Sequence, residues 1–185
     1  MRSFATLVAG LAAPVLVIPL VILADAAGVA DLVGRVWQEP IAPFLPGAAG
    51  AAFLVRWWRG RHRMDLLLAI LALAFMCREI HFPGTHQGVY VAVAGLTVWA
   101  AAWGRSLWAE LKADPVRARW LAMTVWAYAV TILVQRRALR FLPGEDRLHI
   151  PMEELGENVA HVFLLVLAVI AAAREVQSSK SKVQG

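Results

Sequence analysis

Cysteine occurs once in the 185 residues, at Cys77. A single thiol excludes an intrachain disulfide, a CxxC redox pair and a thiolate metal cluster. Charge is also scarce: 17% of the residues are Asp, Glu, Lys or Arg, against roughly a quarter in a typical soluble domain. The chain has no internal repeat, no glycine-rich phosphate cradle, no GxSxG elbow and no recognisable nucleophile–base pair. It also lacks HxxxH and ExxH pairs, the helical spacings that most directly announce a metal site.

What the chain does have is apolar surface. Hydrophobic residues make up 60% of it, gathered in runs about as long as a bilayer is thick. The expected fold class is all-α: a polytopic transmembrane helix bundle of six spans, one domain over residues 1–176. The polar end "SSKSKVQG" makes 177–185 a disordered cytoplasmic tail.

The first span is expected from Phe4 to Ala24 and the second from near Ile41 to Arg56. The third has Asp65 as its N-cap and ends at Pro83, and the fourth covers Gly88 to Trp108. The fifth has Asp114 as N-cap and Pro115 at its first position, and runs to Leu142, where "PG" stops it. The sixth opens at Pro151 and reaches Val176. "ADA" at 24–26 also resembles a signal-peptide cleavage site, which would leave five spans. An apolar stretch of about 20 residues exceeds a usual signal core, which favours a retained span.

Lys and Arg set the orientation. With the N-terminus in the cytoplasm, that side holds 12 basic and 4 acidic residues, a balance of +8, and the other side 6 and 9, a balance of −3. Both termini are therefore expected inside a bacterial inner membrane. Trp57, Trp58, Trp103, Trp108 and Trp120 fall near the inner boundary, as an aromatic belt would. "RWWRGRHR", residues 56–63, reads as an orientation signal and headgroup anchor, too short a loop for a nucleic-acid surface. "GVYVAVAGLTVWAAAWG" offers small residues for close helix packing, within the bundle or against a partner membrane subunit.

This topology gathers three polar groups in the outer, periplasmic leaflet. Arg78, Glu79 and His81 end the third span; Gln135, Arg136, Arg137 and Arg140 end the fifth; Glu153, Glu154, Glu157, Asn158 and His161 open the sixth. Spacings of three and four put Glu154, Glu157 and His161 on one face, with Glu153 off it and explained by the helix dipole of a first turn. Arg78 and His81 share a face, Glu79 points away, and Arg136 and Arg140 stack. His86 and His149 lie in loops and need no role.

An ionisable group deep in a span is a functional-site candidate, so the pocket candidates are Arg78, His81, Arg136, Arg137, Glu154, Glu157 and His161. Two chemistries suit them. His81, Glu154, Glu157 and His161 are a nitrogen and oxygen set for zinc or iron, whose bound water would hydrolyse a lipid-like substrate. Alternatively, the arginines bind an anionic lipid or a small-molecule carboxylate while the glutamates and His161 pass protons. Haem between His81 and His161 is a weaker alternative, because their depths differ. The arginines and glutamates also balance as a purely structural ion-pair network. Three function classes follow: a transporter, ligand-binding or accessory membrane subunit first, a membrane-embedded metal-dependent enzyme second, and a structural or assembly factor third.

Overall fold

Proline or glycine marks several helix boundaries of this chain, among them Pro43, Pro115 and Gly144. A computed structural model describes residues 2–29, 38, 40–80, 85–142 and 144–183, with the side chains of 2, 3, 85, 86 and 176–183 left aside. These residues form seven α-helices and no strand: α1 Arg2–Ala26, α2 Phe44–Gly60, α3 Arg63–Glu79, α4 Thr85–Ala102, α5 Gly104–Ala113, α6 Pro115–Gln135 and α7 Glu145–Val183. The all-α expectation holds. The residues expected as a disordered tail continue α7 as far as Val183.

Two helices combine the length and hydropathy needed to cross a membrane: α1 over Phe4–Ala26 and α7 over Glu145–Glu175. Among the described residues the other expected spans do not combine both. Helices α2 and α3 have 17 residues each, about 25 Å at 1.5 Å per residue. The fourth expected span is broken at Trp103, whose φ of −104° and ψ of 12° end α4 and start the separate amphipathic α5.

The fifth span was expected to run to Leu142, but α6 stops at Gln135. Its last turn closes as a Schellman motif: the N–H of Arg137 donates to the Val134 carbonyl at 2.8 Å and that of Ala138 to the Leu133 carbonyl at 3.0 Å. Arg137 takes the left-handed conformation, with φ of 55°, where glycine is usual. Its side chain holds it there. Nε lies 3.2 Å from Glu145 Oε1 and Nη2 2.6 Å from Glu145 Oε2, and Nη2 also donates to Asp146. These two acids, Glu145 before Asp146, push the Arg137 pKa above its ordinary value, so it stays a cation. Arg136 and Arg140 therefore lie in the turn after α6 and do not stack on a helix.

The two acids also cap the dipole of α7, which opens at Glu145, six residues before the expected start at Pro151. Pro151 sits inside the helix and Glu153 is well past its first turn, so the dipole explanation of Glu153 fails. A test follows from the Arg137 conformation. Arg137→Gly and Arg137→Ala lose the same ion pairs, but only glycine relieves the left-handed backbone. Arg137→Gly is expected to melt roughly 2–4 °C above Arg137→Ala; equal melting temperatures would show that the backbone carries no strain.

The described residues group into two compact units. The first holds α1, α6 from Leu121 and α7 up to Phe163. Its core is Val17 and Val21 of α1, Val134 of α6, and Leu148 and Met152 of α7. Pro14 and Pro19 interrupt the hydrogen-bond ladder of α1, and the Trp126 indole donates to the Leu11 carbonyl at 2.9 Å just before the first of them. Arg147 of α7 pairs with Asp25 at the other end of α1.

The second unit holds α2 to α5, α6 up to Trp120 and α7 from Leu164. Helices α2 and α3 form an antiparallel hairpin whose contact face is small: Ala49, Gly50, Ala69 and Ala72 are buried in it. Gly50 faces Leu73 and Ala72, and Gly47 faces Met76, a register that brings Arg56 opposite Asp65. Asp65 was expected as the N-cap of α3. The helix instead begins at Arg63, with His62 as N-cap and no side-chain cap bond, and Asp65 is turned to the arginines.

Candidate functional site

Polar residues recur on α6 at Thr124, Tyr128, Thr131 and Gln135, spaced four, three and four apart, which places them along one helix face. Thr124 and Thr131 are buried, and Thr131 satisfies its hydroxyl on the Ala127 carbonyl at 3.0 Å. On α7 the corresponding face carries Glu153, Gly156, Glu157 and His161, and Glu154 borders it two turns before His161. The two faces meet in antiparallel register inside the first unit. The Tyr128 hydroxyl lies 2.7 Å from His161 Nδ1, with the rings edge to face at 5.8 Å. A Cβ on Gly156 would come within 3.1 Å of Thr131 Oγ1. Gln135 Nε2 donates to Glu153 Oε1 at 2.8 Å. This polar seam extends about 12 Å from Glu153 to His161 at 1.5 Å per residue. Beside it Asn158 Nδ2 donates to Gln38 Oε1 at 3.3 Å.

His161 is 1% exposed, the most enclosed ionisable group of the seam. Its bond to Tyr128 survives either tautomer: the hydroxyl donates when Nδ1 is bare and accepts when Nδ1 carries the proton. Glu157 and Glu154, half-buried one and two turns before it, supply carboxylates on the face of His161.

The seven residues expected to line a pocket are distributed as follows. Glu154, Glu157 and His161 belong to the seam. Arg137 is committed to Glu145 and Asp146, and Arg136 is exposed. These positions correct the expectation that both arginines face the glutamates of the sixth span. Arg78 is half-buried in the last turn of α3, in the other unit, and His81 lies outside the described residues. Among the described residues no three His, Cys, Asp or Glu side chains converge on a metal position, so the set His81, Glu154, Glu157 and His161 gains no support as a metal centre.

Sequence reasoning passed over Tyr128 and Thr131 and dismissed Glu153. The spacing of polar residues in α6 was the available signal. It also missed a second cluster. In the second unit Asp65 is wholly buried and receives Arg56 Nε at 3.4 Å and the Arg117 guanidinium on the same oxygen. Arg56 Nη1 reaches the Ala171 carbonyl and Glu175 Oε2, the latter at 2.9 Å. Next to it Asp114 caps α6 as expected, taking the N–H groups of Val116 and Arg117 at 3.2 and 3.1 Å, and pairs with Arg174 at 2.9 Å. Asp65 Oδ2 and Arg117 Nε find no hydrogen-bond partner among the described residues. Four helices are tied here by alternating charge. Comparison with known protein families, with curated proteins and with solved structures found no match.

Proposed function

We propose that the chain is a multi-pass inner-membrane protein, both termini cytoplasmic, in which the seam of Tyr128, Glu154, Glu157 and His161 takes up and releases protons to drive transport or ligand binding. The observation that carries this reading is the buried His161 bonded to a tyrosine hydroxyl on a face with two carboxylates. A proton relay is a recognised use of ionisable groups inside a membrane helix. The exposed or committed positions of Arg136 and Arg137 weaken the alternative of an anion clamp, and the seam is acidic overall.

Several features support six spans. The ends of α2, α3, α6 and α7 gathered around Asp65 belong to segments that the charge count assigns to the cytoplasmic side. Lengths of 17 residues in α2 and α3 fall within the range that tilt-free helices, snorkelling arginines and local bilayer thinning accommodate. Val17 and Val21 build α1 into the core of the first unit, as suits a retained span more than a removed signal.

The test is proton entry into vesicles that enclose a pH-sensitive dye, driven by an imposed potential. Wild-type protein is expected to admit protons faster than protein-free vesicles, and His161→Ala to fall at least ~10-fold toward that background. Tyr128→Phe, which keeps the ring and removes the hydroxyl, should fall part of the way. Wild-type entry no faster than in protein-free vesicles would overturn the proposal. Unchanged entry in a folded His161→Ala protein would remove the seam from it.

A further inference from the structure

Two groups of basic residues stand apart among the described residues. Arg56, Arg117, Arg137, Arg147 and Arg174 each pair with a carboxylate. In the second unit, five cations at the α2–α3 turn and on α5 are exposed, and none has a carboxylate partner among the described residues: Arg59, Arg61, Arg63, Arg105 and Lys112. Three of these cations sit over indole rings instead. Arg61 Cζ is 4.7 Å from the centre of the Trp57 ring and 4.9 Å from that of Trp58. Arg63 Cζ is 3.6 Å from the Trp103 ring, and Lys112 Nζ 5.8 Å from the Trp108 ring.

Helix α5 completes the surface. Leu107 is buried and Leu111 half-buried on one side, while Arg105, Trp108 and Lys112, spaced three and four apart, share another. The one acid on α5, Glu110, is already used: its Oε2 accepts the Met64 N–H at 3.3 Å and fastens α5 to the start of α3. Trp58 and Trp108 are 68% and 61% exposed, a large apolar area beside unneutralised charge. In water the exposed indoles are unfavourable, while the cations beside them are simply hydrated. At a bilayer surface indoles rest at headgroup depth, and each basic side chain contributes about 1 kcal/mol against anionic lipid.

We propose that the α2–α3 turn and α5 form a binding surface for anionic phospholipid headgroups, with α5 lying in the plane of the interface. Arg61 and Arg63 offer paired N–H donors suited to a phosphate, and their rings beneath fix the guanidinium planes. Lys112 adds charge at the far end of α5. The inference rests on the membrane reading above, but on no particular orientation in the membrane.

The experiment uses full-length protein in vesicles of equal phosphatidylglycerol and phosphatidylcholine, released in mild detergent and weighed by native mass spectrometry. Retained lipid should be mainly phosphatidylglycerol, and the preference should shrink between about 0.1 and 1 M salt as screening tightens. The triple variant Arg61→Gln, Arg63→Gln, Lys112→Gln should lose roughly 100-fold of it, about five-fold per charge. Equal retention of the two lipids by the wild type, or a preference that salt leaves unchanged, would overturn the proposal. The salt series needs no variant, so misfolding of the triple substitution does not protect the idea. Protein that carries neither lipid and stays dispersed without detergent would instead sink the membrane reading itself.

Discussion

Asp65→Ala is expected to abolish most of the folded protein. The carboxylate is wholly buried, and its Oδ1 receives both Arg56 and Arg117, themselves nearly enclosed. Removing it leaves two guanidinium groups that shared one oxygen, with Glu175, at the edge, as the one remaining carboxylate paired to either of them among the described residues. Breaking a buried ion pair from one side costs about 3–5 kcal/mol, a large share of a marginal stability. Asp65→Asn keeps an acceptor without the charge and should fall between the two. Asp65→Leu combined with Arg117→Met, which removes charge of both signs, should recover part of the loss. The readouts are the monodisperse fraction on size-exclusion chromatography and the melting temperature in detergent. An Asp65→Ala protein that melts like the wild type would show that the cluster contributes nothing to the fold.

The second large effect is expected from Gly50→Leu. A Cβ at Gly50 would already meet Leu73 Cδ2 and Cγ at 3.1 Å and Ala72 Cβ at 3.4 Å. A leucine adds three further carbons that the hairpin can admit only by parting α2 from α3. Overpacking of this kind costs about 1–3 kcal/mol. The loss here should reach the upper end, since the same parting draws Arg56 away from Asp65 further along the register. Gly50→Ala is the control: Leu73 yields by a few tenths of an ångström, and the better helix propensity of alanine, worth about 1 kcal/mol, offsets the crowding. Melting of Gly50→Leu level with Gly50→Ala would mean that the helices are not held at close approach.

These outcomes bear on what could be read from the chain before its structure. The start of α6 was legible because its chemistry is local: Asp114 bonds N–H groups two and three residues away. Its end was not, because the left-handed turn at Arg137 depends on Glu145 and Asp146, beyond the apparent stop at "PG". Asp65 illustrates the same limit. An Asp near a helix start reads as a cap, and nothing nearby points to Arg117, which lies 52 residues on. Trp103 belongs to an apolar run whose only local sign of a break, Gly104, is tolerated inside many helices. The face of Glu154, Glu157 and His161 followed from helical spacing alone. Its partner face on α6 had the same periodicity, hidden because tyrosine and threonine pass as ordinary members of a span.

The cluster around Asp65 also has a history in synthesis. Its members leave the ribosome in the order Arg56, Asp65, Arg117, Glu175, so its running charge goes from plus one to zero, back to plus one, and to zero again. The α2–α3 hairpin is neutral at this point as soon as both its helices are made. Arg117 then waits through more than fifty residues of translation for Glu175 to restore the balance. The nascent chain therefore carries at most one uncompensated charge among these four at any stage, and carries it longest while α6 and α7 are being made.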